Sequence, residues 1–323
     1  MTTRTKPLTD RIALVAGATR GAGRGIARML GEAGATVYCT GRGSRARPSA
    51  FGVYAGRPET IEETAELVSA AGGTGIAVRV DHADEGEVAA LVKRVRREQK
   101  RLDLLVNVLG GPQVEDQRPF WKLPPDAGRA MLDAWVWPHV VTARHALPLM
   151  VAQRSGLVVE IVEGETLGYH RQLYFDLAMT SLKRLVHALA QELEPHRVAA
   201  LAVTPGFMRT EVVLAHLQAT EENWRDVARR SAAAKGFGFE GSESPAFVGR
   251  AVAALAADPD VMRWSGGLYG SWELADRYGF IDVNGESPRW GPYFAKHFPQ
   301  YTAPSPTGRE WRLETREPLT VDG

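Results

Sequence analysis

Six short apolar runs alternate with longer segments of helical periodicity through the first 205 residues of this 323-residue chain. The runs are "RIALVAG" (11–17), "ATVYCTG" (35–41), "GIAVRVD" (75–81), "LDLLVNV" (102–108), "GLVVEIV" (156–162) and "RVAALAVTPG" (197–206). Between them, helical patterns cover 22–33, about 59–71, 84–100, about 126–152 and 173–193. Strands that read as continuous apolar runs are buried on both faces, and a parallel strand needs a crossover long enough to hold a helix. The rhythm therefore predicts an α/β fold, a doubly wound parallel sheet with helices on both faces. Three segments break it. Residues 43–58 form a Gly/Pro/Arg-rich loop, and 207–243 are polar and amphipathic, which suits a lid. From Ser287 onward Pro, Gly, Trp and Tyr accumulate without period. The expected organisation is a polar tail (1–9), a single domain (10–286, lid about 207–243) and a C-terminal extension (287–323).

The first run ends in "AGATRGAGRGIA" (16–27), where glycines 17, 21 and 23 follow a strand and open a helix. In that setting the backbone can approach a pyrophosphate, and the free N–H groups and positive dipole end of the helix face it. Gly17, Thr19, Arg20, Gly21, Ala22 and Gly23 are the candidate phosphate cradle of a Rossmann-type dinucleotide site. The second strand ends in "CTGRGSRAR", with no acid to bond a ribose 2′-hydroxyl. Arg42 instead offers a bidentate clamp for a 2′-phosphate, so NADP(H) is the expected cofactor.

Composition narrows the remaining classes. A net charge of +1 lacks the basic footprint of a nucleic-acid binder. The single cysteine, Cys39, permits no disulfide and no cysteine zinc site, and the histidines (His139, His145 and His187 among them) show no metal-ligand spacing, so no metal is expected. No apolar run reaches about 18 residues, so no membrane span is expected. A cytoplasmic address follows by default.

Further motifs make the chain resemble the short-chain dehydrogenase/reductase family over about residues 8–285. The spacing G-x-x-x-G-x-G is similar to its cofactor turn, where Arg20 occupies a position often basic in NADP-preferring members. Val80–Asp81 resembles the pair whose carboxylate meets the adenine amino group, with His82 beside it. "NVLGG" (107–111) stands where the family has N-N-A-G; Asn107 matches, Val108 and Leu109 depart. "TPGFMRT" (204–210) resembles the stretch that contacts the nicotinamide carboxamide, which would involve Pro205, Gly206, Met208 and Thr210. "VYCTGR", "PFWKLP" and "SGGLYGSWELADRYGFIDVNG" are similar to the group typified by dehydrogenase/reductase member 1.

The resemblance fails where the family does its chemistry. There, a tyrosine exchanges a proton with the substrate oxygen, a lysine four residues on lowers its pKa, and a serine about 13 residues earlier holds that oxygen. Aligned from "LVHALAQEL" (185–193), the lysine position is Met179 and the tyrosine position Phe175. "GLVVEIVEG" puts the serine position at Glu163, or Val162 if slipped by one, and the family asparagine falls near Trp135. Phenylalanine has no proton to give and methionine no charge. Glu163 and Tyr174 are the candidate replacements. Tyr174 is one residue early, so on a helix it points about 100° away; a helix beginning at or after residue 175 would relax that. Glu165, Tyr169 and His170 lie on the loop between.

The resemblance implies an atypical NADP(H)-binding oxidoreductase acting on a carbonyl or hydroxyl group of a small organic substrate, assembled as a homodimer or homotetramer. Two alternatives stand beside it. One is a non-redox enzyme (cyclase, isomerase, dehydratase or hydrolase) with Glu163 as acid/base; the other is a non-catalytic cofactor-binding subunit.

Overall fold

The computed structural model describes residues 6–49, 54–111, 118–164 and 172–299. Seven strands form one parallel sheet: β1 (Ile12–Ala16), β2 (Thr36–Gly41), β3 (Thr74–Arg79), β4 (Leu104–Asn107), β5 (Gly156–Ile161), β6 (Val198–Thr204) and β7 (Leu268–Gly270). Their order is β3-β2-β1-β4-β5-β6-β7. The helices between them are α1 (Gly21–Glu32), α2 (Ile61–Ala70), α3 (Glu85–Gln99), α4 (Pro125–Trp135), α5 (Trp137–Gln153) and α6 (Leu173–Leu193). After β6 come α7 (Glu211–His216), α8 (Trp224–Arg230), α9 (Ala232–Gly236) and α10 (Pro245–Ala257), and after β7 come α11 (Ser271–Tyr278) and α12 (Trp290–His297).

Alternation along the strands sorts the apolar side chains onto two faces. Ala13, Val15, Val37, Val106 and Leu201 pack with Ile26 and Leu30 of α1 and Val248 and Val252 of α10. Ile12, Leu14, Leu105 and Val158 pack with Val88 and Leu91 of α3, Met150 of α5 and Leu193 of α6. Each buried Val, Leu, Ile or Met side chain among them contributes about 1.5–3 kcal/mol. The chain winds outward in both directions from β1 and β4, so the turns leaving the two strands diverge and open a crevice at their carboxyl ends, where ligands bind in open sheets of this kind. The turns after β1, β4, β5 and β6 all lie at that end.

Three features differ from the sequence expectation. The helical stretch 126–152 is two helices that meet at Val136, because Pro138 has no N–H for the carbonyl of Ala134. A seventh strand, β7, is only three residues long, too short to show as an apolar run. Residues 207–243 hold three short helices with their own buried cluster of Ala219, Trp224, Ala228, Ala234 and Phe239. Arg209 pins that cap to the body: its guanidinium lies 4.0 Å over the Trp224 ring, donates to the carbonyl of Ser242 and pairs with Asp282 at 3.6 Å.

Candidate functional site

The nucleotide end is built on close backbone approaches. Gly17 has φ +92°, and a Cβ there would stand 2.2 Å from the carbonyl oxygen of Val108. At Gly23 a Cβ would stand 2.1 Å from the carbonyl of Gly17. Only glycine at both places lets β1 turn directly into α1 beside β4. Thr19 and Ala22 are buried in the turn. Thr210 comes over its mouth, its methyl group 3.4 Å from the Cβ position of Gly21, so "TPGFMRT" and the Gly-rich turn face each other.

Two contacts describe the electrostatics of this turn. The Gly21 N–H donates to Oε2 of Glu211 at 2.8 Å, so a carboxylate already sits where α1 offers its free donors. Arg20 precedes α1, donates to Glu59 at 3.3 Å and lies 4.9 Å over the Tyr54 ring; its Nη2 is buried without a hydrogen-bond partner among the described residues. Glu59 also takes Arg57 at 2.6 Å. Burial pushes the Glu59 carboxyl up, but the Arg57 bond and the charges of Arg57 and Arg20 hold it below the ordinary range. Arg42 follows β2 directly and is exposed at the same end. The Arg20–Glu59–Arg57 cluster escaped the sequence reading because Glu59 lies 39 residues from Arg20.

Asp81 and His82 have local duties. Asp81 Oδ1 accepts from the Ala83 N–H at 3.0 Å and shapes the entry to α3. The His82 ring is buried between Thr40 Oγ1 and Thr142 Oγ1, both at 2.8 Å. Burial, with the charges of His139 and Arg42, pushes its imidazole down to about 3, so it is neutral. Its side chain ties β2 to α5.

Asn107 ends β4 and donates through Nδ2 to Glu160 Oε1 at 2.7 Å, while its Oδ1 is buried without a hydrogen-bond partner among the described residues. Glu160 Oε2 meets His139 Nδ1 at 2.5 Å, and His139 Nε2 meets the carbonyl of Leu109 at 3.0 Å. A carbonyl only accepts, so Nε2 carries a proton, and a second proton lies between Nδ1 and the carboxylate. Glu160 and His139 are wholly buried. The network joins β4, β5, α5 and the turn after β4 beneath the crevice. Its signal in the sequence was an acid inside an otherwise apolar strand, "GLVVEI".

The residues that the sequence aligns with the family relay lie in an apolar cluster. Phe175 and Met179 are buried with Met131, Val162 and Leu182. Trp135, near the family asparagine position, meets Phe175 edge-to-face at 5.5 Å and lies over Gly110, whose Cβ position is 3.2 Å from its ring. Tyr174 lies within the first turn of α6. The helix begins at Leu173, so the extended entry that would have turned its phenol inward is absent. Its ring lies on α4, 2.2 Å from the Cβ position of Gly128, as a packing residue. Glu163 stands exposed after β5, beside Gly164, whose N–H donates to Thr204 Oγ1 at 3.1 Å. Glu165, Tyr169 and His170 lie outside the described residues. Lys183, not singled out from the sequence, is only 2% exposed on the inner face of α6. Among the described residues no group of histidine, cysteine and carboxylate side chains could hold a metal, and no helix is long and apolar enough to cross a membrane.

Comparison with known proteins agrees with this frame. Residues 11–221 match the family model for short chain dehydrogenase. The mouse and human proteins named dehydrogenase/reductase SDR family member 1 are each 32% identical over 284 residues, covering 86% of this chain and 85% of theirs. A short chain dehydrogenase from Mycobacterium thermoresistibile shares the fold, with TM-score 0.69 at 18% identity, covering 88% of this chain and 92% of that one. The chain belongs to the short-chain dehydrogenase family, whose members bind NAD(P)(H).

Proposed function

We propose that the protein is an NADP(H)-dependent oxidoreductase that interconverts a carbonyl and a hydroxyl group on a small organic substrate, with a proton donor other than the family tyrosine. The observation that carries this reading is the intact anion cradle beside a relay rebuilt in apolar residues: Gly21 N–H already holds a carboxylate, while Phe175 and Met179 are packed among Val162 and Leu182.

The residues that would hold the cofactor are the Gly17–Gly23 turn for the diphosphate, Arg42 and Arg20 for the 2′-phosphate, Asp81 for the adenine and Pro205–Thr210 for the nicotinamide end. When bound, the cofactor supplies the hydride. The protein's part is to position that group over the crevice, keep the diphosphate charge at the helix N-terminus, and deliver a proton to the substrate oxygen. Phe175, Met179 and Trp135 form a dry wall there, which strengthens any charge interaction beside it.

The test mixes purified protein, NADPH and a panel of aldehydes and ketones, and follows nicotinamide absorbance and products. Oxidation of NADPH matched by alcohol formation supports the reading. Conversion of a substrate without NADPH oxidation, abolished in Glu163→Gln, would replace it with non-redox acid/base chemistry at Glu163. NADPH binding with no conversion of any substrate would make the chain a cofactor-binding subunit.

A further inference from the structure

We propose that Glu243 is a positioning residue for the nicotinamide end of the cofactor: its carboxyl and backbone together hold the Pro205–Thr210 stretch in the shape that meets that end. This rests on the NADP(H) reading above and names the residue that shapes that half of the site.

Three hydrogen bonds carry the inference, each to a different residue of the stretch. Glu243 Oε2 accepts from the Gly206 N–H at 3.0 Å. The Glu243 N–H donates to the Phe207 carbonyl at 2.9 Å, and the Glu243 carbonyl accepts from the Arg209 N–H at 2.8 Å. These last two form a parallel bridge between Met208 and Glu243. In such a bridge one residue turns its N–H and C=O toward the other strand, and the residue opposite turns its own away. Here Met208 is the one turned away. Its carbonyl is taken by the Thr210 N–H at 2.9 Å, and its N–H has no partner among the described residues. The stretch lies at the crevice, because it follows β6 directly and the Thr210 methyl group is 3.4 Å from the Cβ position of Gly21.

The side chain acts separately from the backbone, since any residue at 243 could make the two bridge bonds. Glu243 is wholly buried. Burying a carboxyl is costly, and an apolar side chain would fill the same volume without that cost. What the carboxyl adds is the acceptor for Gly206. Its Oε2 stands 2.8 Å from the Cβ position of Gly206 and the Trp290 Cβ 2.5 Å from it, so glycine is what admits both neighbours. Ser271, the first residue of α11, donates its Oγ–H to the same Oε2 at 2.6 Å and fixes the carboxyl against the turn. On the far side of the bridge, the Arg209 guanidinium donates to the carbonyl of Ser242, so residues 242 and 243 grip Arg209 at both ends.

The test measures binding to the full chain by calorimetry with two ligands, NADPH and 2′-phospho-ADP-ribose, which lacks the nicotinamide ring. Glu243→Leu keeps the two bridge bonds and leaves the Gly206 N–H without its acceptor. It should bind NADPH about tenfold more weakly, the worth of one or two hydrogen bonds, and bind the ring-less ligand as wild type does. Burial pushes the Glu243 carboxyl up to about 8, so at pH 7 glutamine matches both its shape and its charge. Glu243→Gln should therefore restore NADPH affinity to within about twofold of wild type. Where Glu243→Leu does not fold, Ser271→Ala carries the test: it frees the carboxyl from its second partner and should show the same split at about threefold. In whichever of these two variants is measured, wild-type affinity for both ligands, or an equal loss for both, overturns the assignment and leaves the cofactor reading standing. A Glu243→Gln protein as weak for NADPH as Glu243→Leu overturns it too. A wild type that does not bind NADPH overturns both.

Discussion

Replacing Glu243 with glutamine should remove a pH dependence from the stability of the fold. Glu243 is wholly buried under the Pro205–Gly206 turn; its Oε2 accepts from the Gly206 N–H at 3.0 Å and from Ser271 Oγ at 2.6 Å. Burial pushes its carboxyl up to about 8, with nearby Asp282 adding to the effect, against the Ser271 and Gly206 bonds and the Arg209 charge. The unfolded chain releases the same proton near 4.5. A raised folded-state pKa contributes stability that is complete below the unfolded value and is lost as pH climbs through the folded one. At about 1.4 kcal/mol per pH unit, the loss between about pH 5 and pH 8 comes to about 3 kcal/mol. Glutamine keeps the accepting oxygen and places an amide where Oε1 stands, an atom with no hydrogen-bond partner among the described residues. Urea unfolding at both pH values measures the difference. Glu243→Gln should gain about 3 kcal/mol on wild type in going from pH 5 to pH 8. An equal difference between the two proteins at both pH values would mean that Glu243 is ionised in the fold, and the reasoning fails.

Glu211→Gln should tighten NADPH binding about fivefold, because the Gly21 N–H then gives up a neutral acceptor worth about 1 kcal/mol less than the carboxylate; fluorescence titration reads it, and an unchanged Kd would show that Glu211 does not compete with the diphosphate. Arg42→Ala should weaken NADPH far more than NADH, and equal loss for both would end the 2′-phosphate assignment. Tyr174→Phe should leave kcat within about twofold, since its ring packs on Gly128; a large loss would return Tyr174 to the list of proton donors.

The strands were legible because burial on both faces leaves long apolar runs, and the Gly-rich turn because close backbone approach admits no side chain at Gly17 and Gly23. The register that places Phe175 and Met179 at the relay positions comes from the apolar stripe of the helix, and both side chains are buried on α6. The features that stayed hidden depend on distance in space. Glu59 meets Arg20 across 39 residues, Glu160 meets His139 across 21, and Glu211 reaches Gly21 across 190. Tyr174 was ambiguous until the first residue of α6 was known, because a shift of two positions at a helix start decides where its phenol points. Lys183 was not singled out from the sequence; only the packing of α6 shows that it faces inward. The break at Val136 follows from Pro138, a signal that was present and outweighed by the long periodicity around it.

Hydride transfer without a phenol is the central claim, and it is tested most directly by isotope. NADPH carrying deuterium at the transferable position of the nicotinamide is incubated with wild-type protein and a carbonyl substrate, and the alcohol is examined by mass spectrometry and NMR. The deuterium should appear on the carbinol carbon, one per molecule of NADPH consumed, and it should do so in Tyr174→Phe as well. Product formed without deuterium, or formed equally well without NADPH, would contradict the claim.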